Sequence, residues 1–456
     1  MLFNSLAYIL LLGFVRAFQL LTSKPAVFML IGSLLFYMAA GPFDTAVFVV
    51  SIIVNWLICK YVQANSLRIV MAIFFNIGLL AFFKYSDFIL GIEKGSSNSY
   101  IDIALPLGIS FYTFQILAYQ IDVVRGISKE ATSFKSFSLF VAFLPQLIAG
   151  PIVRSKELLP QVERLFRGDR RKVRLISYGM ALFLLGLFKK VVIADSISPF
   201  VDEIFLFGPE SMAWAWLGAT LFAFQIYCDF SGYSDMAIGS AYLLGIKLPT
   251  NFKTPYLSKG PREFWQRWHI TLSSWIRDYL YIPMGGSQGR LVKSAFVIVL
   301  TMAIAGLWHG ADTTFVIWGA AWGVYILLGR ACSGLNVPSV IAILSHFIIT
   351  VFLWVLFRAS DWDAALQYYE IMIGLKAGIN APETFYEQTG IFPVLLLVSF
   401  GLCVFHVLEQ KIHNVRSIWL LKRLDGAFLW SLLSGLIILI ILLPRADVNP
   451  FIYFRF

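Results

Sequence analysis

Apolar segments that approach the length of a bilayer crossing recur from one end of this chain to the other. That recurrence constrains the fold more than any single motif. A helix needs about 20 apolar residues to cross the hydrocarbon layer, and only helices or closed barrels satisfy their own backbone there. The chain is 59% hydrophobic and 14% charged, where a soluble protein carries roughly 45–50% apolar and about 25% charged residues. Its core is therefore built against lipid, and the expected fold is an all-α integral membrane protein with about 10–12 transmembrane helices. No soluble domain of independent size interrupts the pattern, so residues 1–456 read as a single polytopic domain. There is no internal repeat of the kind many transporters carry.

Charge orients the spans. The net charge of +10 concentrates in Arg154 to Arg174, Lys247 to Lys293 and Lys411 to Arg423, which the positive-inside rule places in the cytoplasm. Acidic-leaning loops, Asp195 to Glu210 and Ser360 to Glu387, fall between them. Twelve crossings then close the parity with both termini outside: 2–20, 26–41, 45–59, 68–90, 101–124, 175–194, 212–228, 292–309, 312–330, 338–357, 391–408 and 428–444. The first segment lacks a basic n-region and a cleavage signal, and reads as a retained helix. Phe137 to Pro151 and Phe230 to Leu248 do not fit as spans. The first is short and holds Pro145 and Pro151; the second carries Gly232, Gly239 and Gly245. Both read as re-entrant or broken helices whose backbone the surrounding protein must satisfy. The four cysteines are scattered without metal-ligand spacing, so they read as buried structural thiols, and neither a disulfide nor a metal is expected.

The sharpest chemical feature is Trp308-His309-Gly310, set between the apolar stretches Leu291 to Leu307 and Thr313 to Leu328. An imidazole in that setting is costly unless it is paired or works in a cavity, and histidine exchanges protons near neutral pH. Upstream lies a dense polar-aromatic run from Phe264 to Pro283 within a cytoplasmic and interfacial motif region, 246–291. Its Trp265, Trp268, Trp275, Tyr279 and Tyr281 read as the aromatic belt of a helix lying at the interface. Arg262, Arg267 and Arg277 suit a phosphorylated donor; the plain alternative is anchoring and headgroup contact.

Phe264-Trp265-Gln266-Arg267-Trp268-His269, Arg277-Asp278-Tyr279-Leu280-Tyr281-Ile282-Pro283 and Leu307-Trp308-His309-Gly310 resemble the core of the membrane-bound O-acyltransferases. Asp229-Phe230-Ser231-Gly232-Tyr233-Ser234-Asp235 and Leu356-Phe357-Arg358-Ala359 match the branch that serves bacterial polysaccharide acetylation, whose type is the membrane subunit of alginate O-acetylation. The resemblance covers roughly the whole chain. It implies helices around a central tunnel, transfer of an acyl group from a cytoplasmic thioester donor to a hydroxyl on the far side, and residence in the inner membrane. His309 then stands at the catalytic position, with Trp308 lining the tunnel beside it. His269 is a second polar residue near the donor side, either positioning the donor or satisfied at the interface. No cofactor is bound on this reading; acetyl-CoA, or another acyl thioester, is the donor substrate. The expected partners are membrane lipid, an extracytoplasmic acetyltransferase protein and a polysaccharide acceptor, with no nucleic acid.

Chemistry agrees with these roles. Acyl transfer from a thioester needs a base for the hydroxyl proton, and neutral imidazole serves at pH 7. Gly306 and Gly310 allow close backbone approach around His309. His346, His406 and His413 match no motif and read as structural or solvated. Asp229, Ser231 and Asp235 invite a Ser/His/Asp reading, but Ser231 lacks a nucleophile turn. They read instead as cavity lining that satisfies a broken helix, with Gln115, Gln120, Asp122, Gln146 and Gln225 in similar work. In the extracytoplasmic tail, 449–456, Phe451-x-Tyr453-x-x-Phe456 resembles the ends of acetylation homologues and a partner peptide of the D-alanyl-teichoic-acid branch. Tyr453 is then an acyl relay, or else an aromatic anchor at the interface. Rival readings are D-alanyl or peptidoglycan cargo within the same family, a transporter or flippase without covalent chemistry, and a scaffold that recruits a periplasmic enzyme.

Overall fold

The computed structural model describes residues 3–90, 105–148, 150–168, 176–288, 290–379, 391–414 and 435. Among them the regular elements are all helical. Seven helices are long and apolar enough to cross a membrane: Pro42–Tyr61, Asn65–Leu90, Ile176–Phe207, Leu291–His309, Thr313–Ala331, Ser339–Arg358 and Phe392–Gln410. Leu6–Leu21 and Pro25–Met38 are shorter apolar helices. The expected crossing at 428–444, residue 435 apart, and the 449–456 tail with Tyr453 lie outside the described residues. The chain forms two compact units, Met1–Gly186 with Tyr233–Thr250, and Leu187–Gly232 with Asn251–Phe456.

In the first unit, Ile109–Val124 is buried almost all round, and both of its glutamines donate to backbone carbonyls. The Gln120 amide donates to the Asn55 carbonyl at 2.8 Å. Phe137 to Pro151 is a broken helix: Phe134–Ala142 ends at Phe143, and the chain continues through buried turns to Ile148. Gln115 and Gln146 both donate to the Phe140 carbonyl at 2.8 Å, so a helix end that has lost its own donors is capped by side chains.

Three expectations are corrected. Phe230 to Leu248 is not a broken helix: a single helix of 32 residues, Met212–Leu243, runs through it. The helix runs unbroken past Gly232 and Gly239, and Gly239 makes room. A Cβ at Gly239 would sit 2.6 Å from the Gly179 carbonyl oxygen, and one at Gly179 would sit 2.9 Å from that of Gly239. The pair lets two helix backbones touch. Gly245, at φ +81, is where the helix ends: Gly245 N–H donates to Tyr242 and Ile246 N–H to Ala241, the Schellman pattern. The 264–283 run is not one interfacial helix either. It is divided into Pro261–Trp265, Ile270–Ile276 and a π-turn Arg277–Tyr281. Trp268 is fully buried and Trp275 nearly so, which removes both from any interfacial belt. The cysteines are free; Cys59 and Cys228 are buried, whereas Cys332 and Cys403 are exposed, so only two are core thiols.

Candidate active site

Three glycines bring Leu291–His309 against Thr313–Ala331. A Cβ at Gly306 would lie 2.0 Å from the Phe315 carbonyl oxygen, at Gly319 2.1 Å from that of Met302, and at Gly323 2.7 Å from the Val299 Cα. Only small residues permit such approach. The turn between the helices is equally tight. A Cβ at Gly310 would meet the Phe315 ring at 2.2 Å, and Asp312 caps the second helix by accepting from the Thr314 N–H at 3.0 Å. This hairpin fixes His309 on the last residue of the first helix, 3% exposed.

Aromatic rings enclose the imidazole. Ring centroids of Trp308, Trp318 and Phe357 lie 5.0, 5.3 and 5.4 Å from it, all edge-to-face. Trp318 stacks on Trp354 at 5.6 Å, which sets its plane. Phe357 comes from the Leu356–Ala359 motif on Ser339–Arg358, so two separated sequence motifs meet at His309.

His269 is brought to the same place by a strained loop. It is left-handed, at φ 42, one of two non-glycine residues with positive φ among those described; Thr254, at φ 40, is the other. The loop between them is closed at its base. Lys253 N–H donates to the Arg267 carbonyl and Ile270 N–H to that of Asn251, both at 2.9 Å. The Asn251 side chain accepts from the Thr271 amide at 3.2 Å and hydroxyl at 2.9 Å. Strain of this kind persists where surrounding contacts over-determine it. The His269 ring packs against Phe230 at 4.6 Å, Phe252 at 6.3 Å and Trp308 at 6.0 Å. Trp308 therefore touches both histidines. Full burial lowers the His269 pKa to about 3, so its imidazole is neutral at pH 7. It can take or give hydrogen bonds, but it brings no charge to a phosphate.

The three arginines lie on or beside the same segment. Arg262 and Arg277 are exposed. Arg267 pairs with Glu263 at 2.6 Å and Arg277 with Asp278 at 2.8 Å, contacts that solvent screens. Of the 212–243 helix residues, Ser231 is fully buried and Asp229 nearly so, both in the second unit; Asp235 belongs to the first. Asp229 lies 2.5 Å from Lys190, which also reaches Asp195 at 2.8 Å. With the helix unbroken, the Asp229 carboxylate serves a lysine and does not cap loose backbone.

Sequence reasoning missed a second buried network. Lys189 pairs with Glu409, which also accepts from the Tyr227 hydroxyl at 2.6 Å and faces His406 Nδ1 at 3.4 Å. The signal was present: two adjacent lysines inside the apolar 176–207 helix are expensive in a membrane without buried counter-charges. His346 meets the Tyr325 hydroxyl at 2.9 Å. Among the described residues no group of three His, Cys, Asp or Glu is placed to hold a metal.

Residues 127–358 match the membrane-bound O-acyltransferase family, MBOAT. A probable alginate O-acetylase, AlgI, of Pseudomonas aeruginosa is 38% identical over 358 residues, which is 74% of this chain and 67% of that protein. A peptidoglycan O-acetyltransferase of Helicobacter pylori is 36% identical over 392 residues, 77% of this chain and 74% of its own. A teichoic acid D-alanyltransferase of Bacillus subtilis is 27% identical over 221 residues, 47% of this chain and 56% of its own.

Proposed function

Because this chain belongs to the membrane-bound O-acyltransferase family, and is a multi-pass membrane O-acyltransferase on that ground, we propose that it moves acetyl groups from a cytoplasmic thioester, acetyl-CoA, to hydroxyls of an extracytoplasmic polysaccharide. The cargo is read from the relatives. Those sharing more than a third of their residues over most of the chain are named for acetyl transfer, to alginate or to peptidoglycan. The D-alanyl relative is less similar and aligns over about half the chain. The inner membrane follows from the donor, since acetyl-CoA is a cytoplasmic thioester.

One observation carries the mechanism: a buried histidine at the end of a spanning helix, walled by Trp308, Trp318 and Phe357. Neutral His309 takes the proton of the acceptor hydroxyl as its oxygen attacks the thioester carbonyl. The carbon–sulfur bond breaks, and the leaving thiolate takes up the proton to leave as CoA. The aromatic wall keeps water from competing as acceptor, and the C-terminal end of a helix favours the positive charge that develops on the ring. His269 and Trp308 position the donor, and Arg262, Arg267 and Arg277 meet its phosphates. Asp229 and Ser231 line the path within the second unit, and an extracytoplasmic partner completes transfer to the polymer.

Purified protein should release free thiol faster from acetyl-CoA than from a D-alanyl carrier protein or from longer acyl-CoA thioesters. Preference for a D-alanyl carrier would overturn the cargo, and transport without thioester turnover would overturn the chemistry. Tyr453 is proposed to relay the acetyl group as a phenyl ester, more reactive than an alkyl ester. Tyr453→Phe should then retain the wild-type protein level while polymer acetylation in cells falls to background. Full acetylation in that variant would leave Tyr453 an interfacial anchor.

A further inference from the structure

The Lys189–Glu409–His406 network does no chemistry in the proposed reaction, yet its geometry leads to the strained loop that carries His269. Glu409 is its hub, accepting from Lys189 and from the Tyr227 hydroxyl and facing His406 Nδ1. The far nitrogen of that imidazole, Nε2, accepts the Tyr256 backbone N–H at 3.3 Å. An Nε2 that accepts leaves the ring proton on Nδ1, toward the Glu409 carboxylate. Tyr256 is the middle residue of the 3-10 turn Pro255–Leu257 that the left-handed Thr254 begins, and its own hydroxyl donates to the Ala223 carbonyl at 2.5 Å. The loop is thus closed at its base by Asn251 and held along its first limb by the 391–414 helix through one imidazole.

We propose that His406, oriented by Glu409, is a positioning residue for acyl transfer: it holds Tyr256 so that the 251–271 loop delivers His269 to Trp308 in the left-handed conformation. His406 touches no reacting atom on this view. The inference rests on the acyl-transfer reading for its kinetic consequence and on geometry alone for its structural one.

The test uses two polar variants of similar size in the full-length protein. Gln carries an acceptor at the reach of Nε2 and Asn only at the reach of Nδ1, so His406→Gln keeps the bond to Tyr256 and His406→Asn loses it. A misplacement of about 1 Å costs about 100-fold in rate. With acetyl-CoA as substrate, His406→Asn should lose about 10- to 100-fold in kcat with KM within about twofold of wild type, and His406→Gln should restore most of it. Hydrogen exchange should quicken in 251–271 of the Asn variant and stay slow in the Gln variant, with 313–331 unchanged in both. Equal kcat for Asn and wild type, or Gln as impaired as Asn, would overturn the positioning role. If wild-type protein releases no CoA, the donor assignment fails separately, and hydrogen exchange still decides whether His406 holds the loop. An Asn variant that does not fold leaves the Gln variant to decide: 251–271 exchanging faster in it than in wild type overturns the proposal.

Discussion

Replacing His309 with alanine is expected to lower acetyl-dependent CoA release by about 10²–10⁴-fold, the range in which a positioned general base contributes. Walled by Trp308, Trp318 and Phe357, His309 is 3% exposed, which keeps bulk water from taking over as base. Alanine also opens a void in a packed aromatic cluster, which costs stability by itself. His309→Gln separates the effects, because glutamine fills most of the space and hydrogen-bonds but cannot take the proton at neutral pH. Both variants should therefore be about equally inactive, while His309→Gln melts closer to wild type. Release by His309→Gln at the wild-type rate would remove His309 from the chemistry. Equal release by all three proteins would point to hydrolysis outside this site.

The spans were legible because hydropathy is local. Segments expected at 45–59, 292–309, 312–330 and 338–357 appear as Pro42–Tyr61, Leu291–His309, Thr313–Ala331 and Ser339–Arg358. The buried setting of His309 at a helix end was legible for the same reason, a lone imidazole between two apolar stretches. Glycine was where local reading failed. Gly232 and Gly239 look like breaks in sequence, but Gly239 lies against Gly179, some 60 residues away, and is small so that two helices can meet. The 264–283 aromatics failed differently. The aromatic belt suggested one interfacial helix, and nothing local announces that His269 turns left-handed under the grip of Asn251 and sends Trp268 inward. The partners of Lys189 and Lys190 were invisible because pairing is a tertiary fact. The lysines declared a need for counter-charge without naming Glu409 or Asp229.

Lys190→Met should be the most destabilising of the charge substitutions in the second unit. Lys190 and Asp229 are each 2% exposed, at 2.5 Å, and Lys190 also meets Asp195 at 2.8 Å. Removing one member of a buried pair costs about 3–5 kcal/mol, chiefly because the other charge stays in low dielectric. The two sides are not symmetric. Loss of the lysine strips its counter-charge from both Asp229 and Asp195, whereas Asp229→Asn leaves Lys190 with Asp195. The melting temperature in detergent should therefore fall further for Lys190→Met than for Asp229→Asn, and Lys190→Met with Asp229→Leu should recover part of the loss. Activity should follow stability in this series, because Phe230, next to Asp229 on the same helix, packs on His269 at 4.6 Å. A Lys190→Met protein as stable as wild type would show that no ion pair holds this helix. Equal losses for Lys190→Met and Asp229→Asn would mean that Asp195 contributes nothing to holding the lysine.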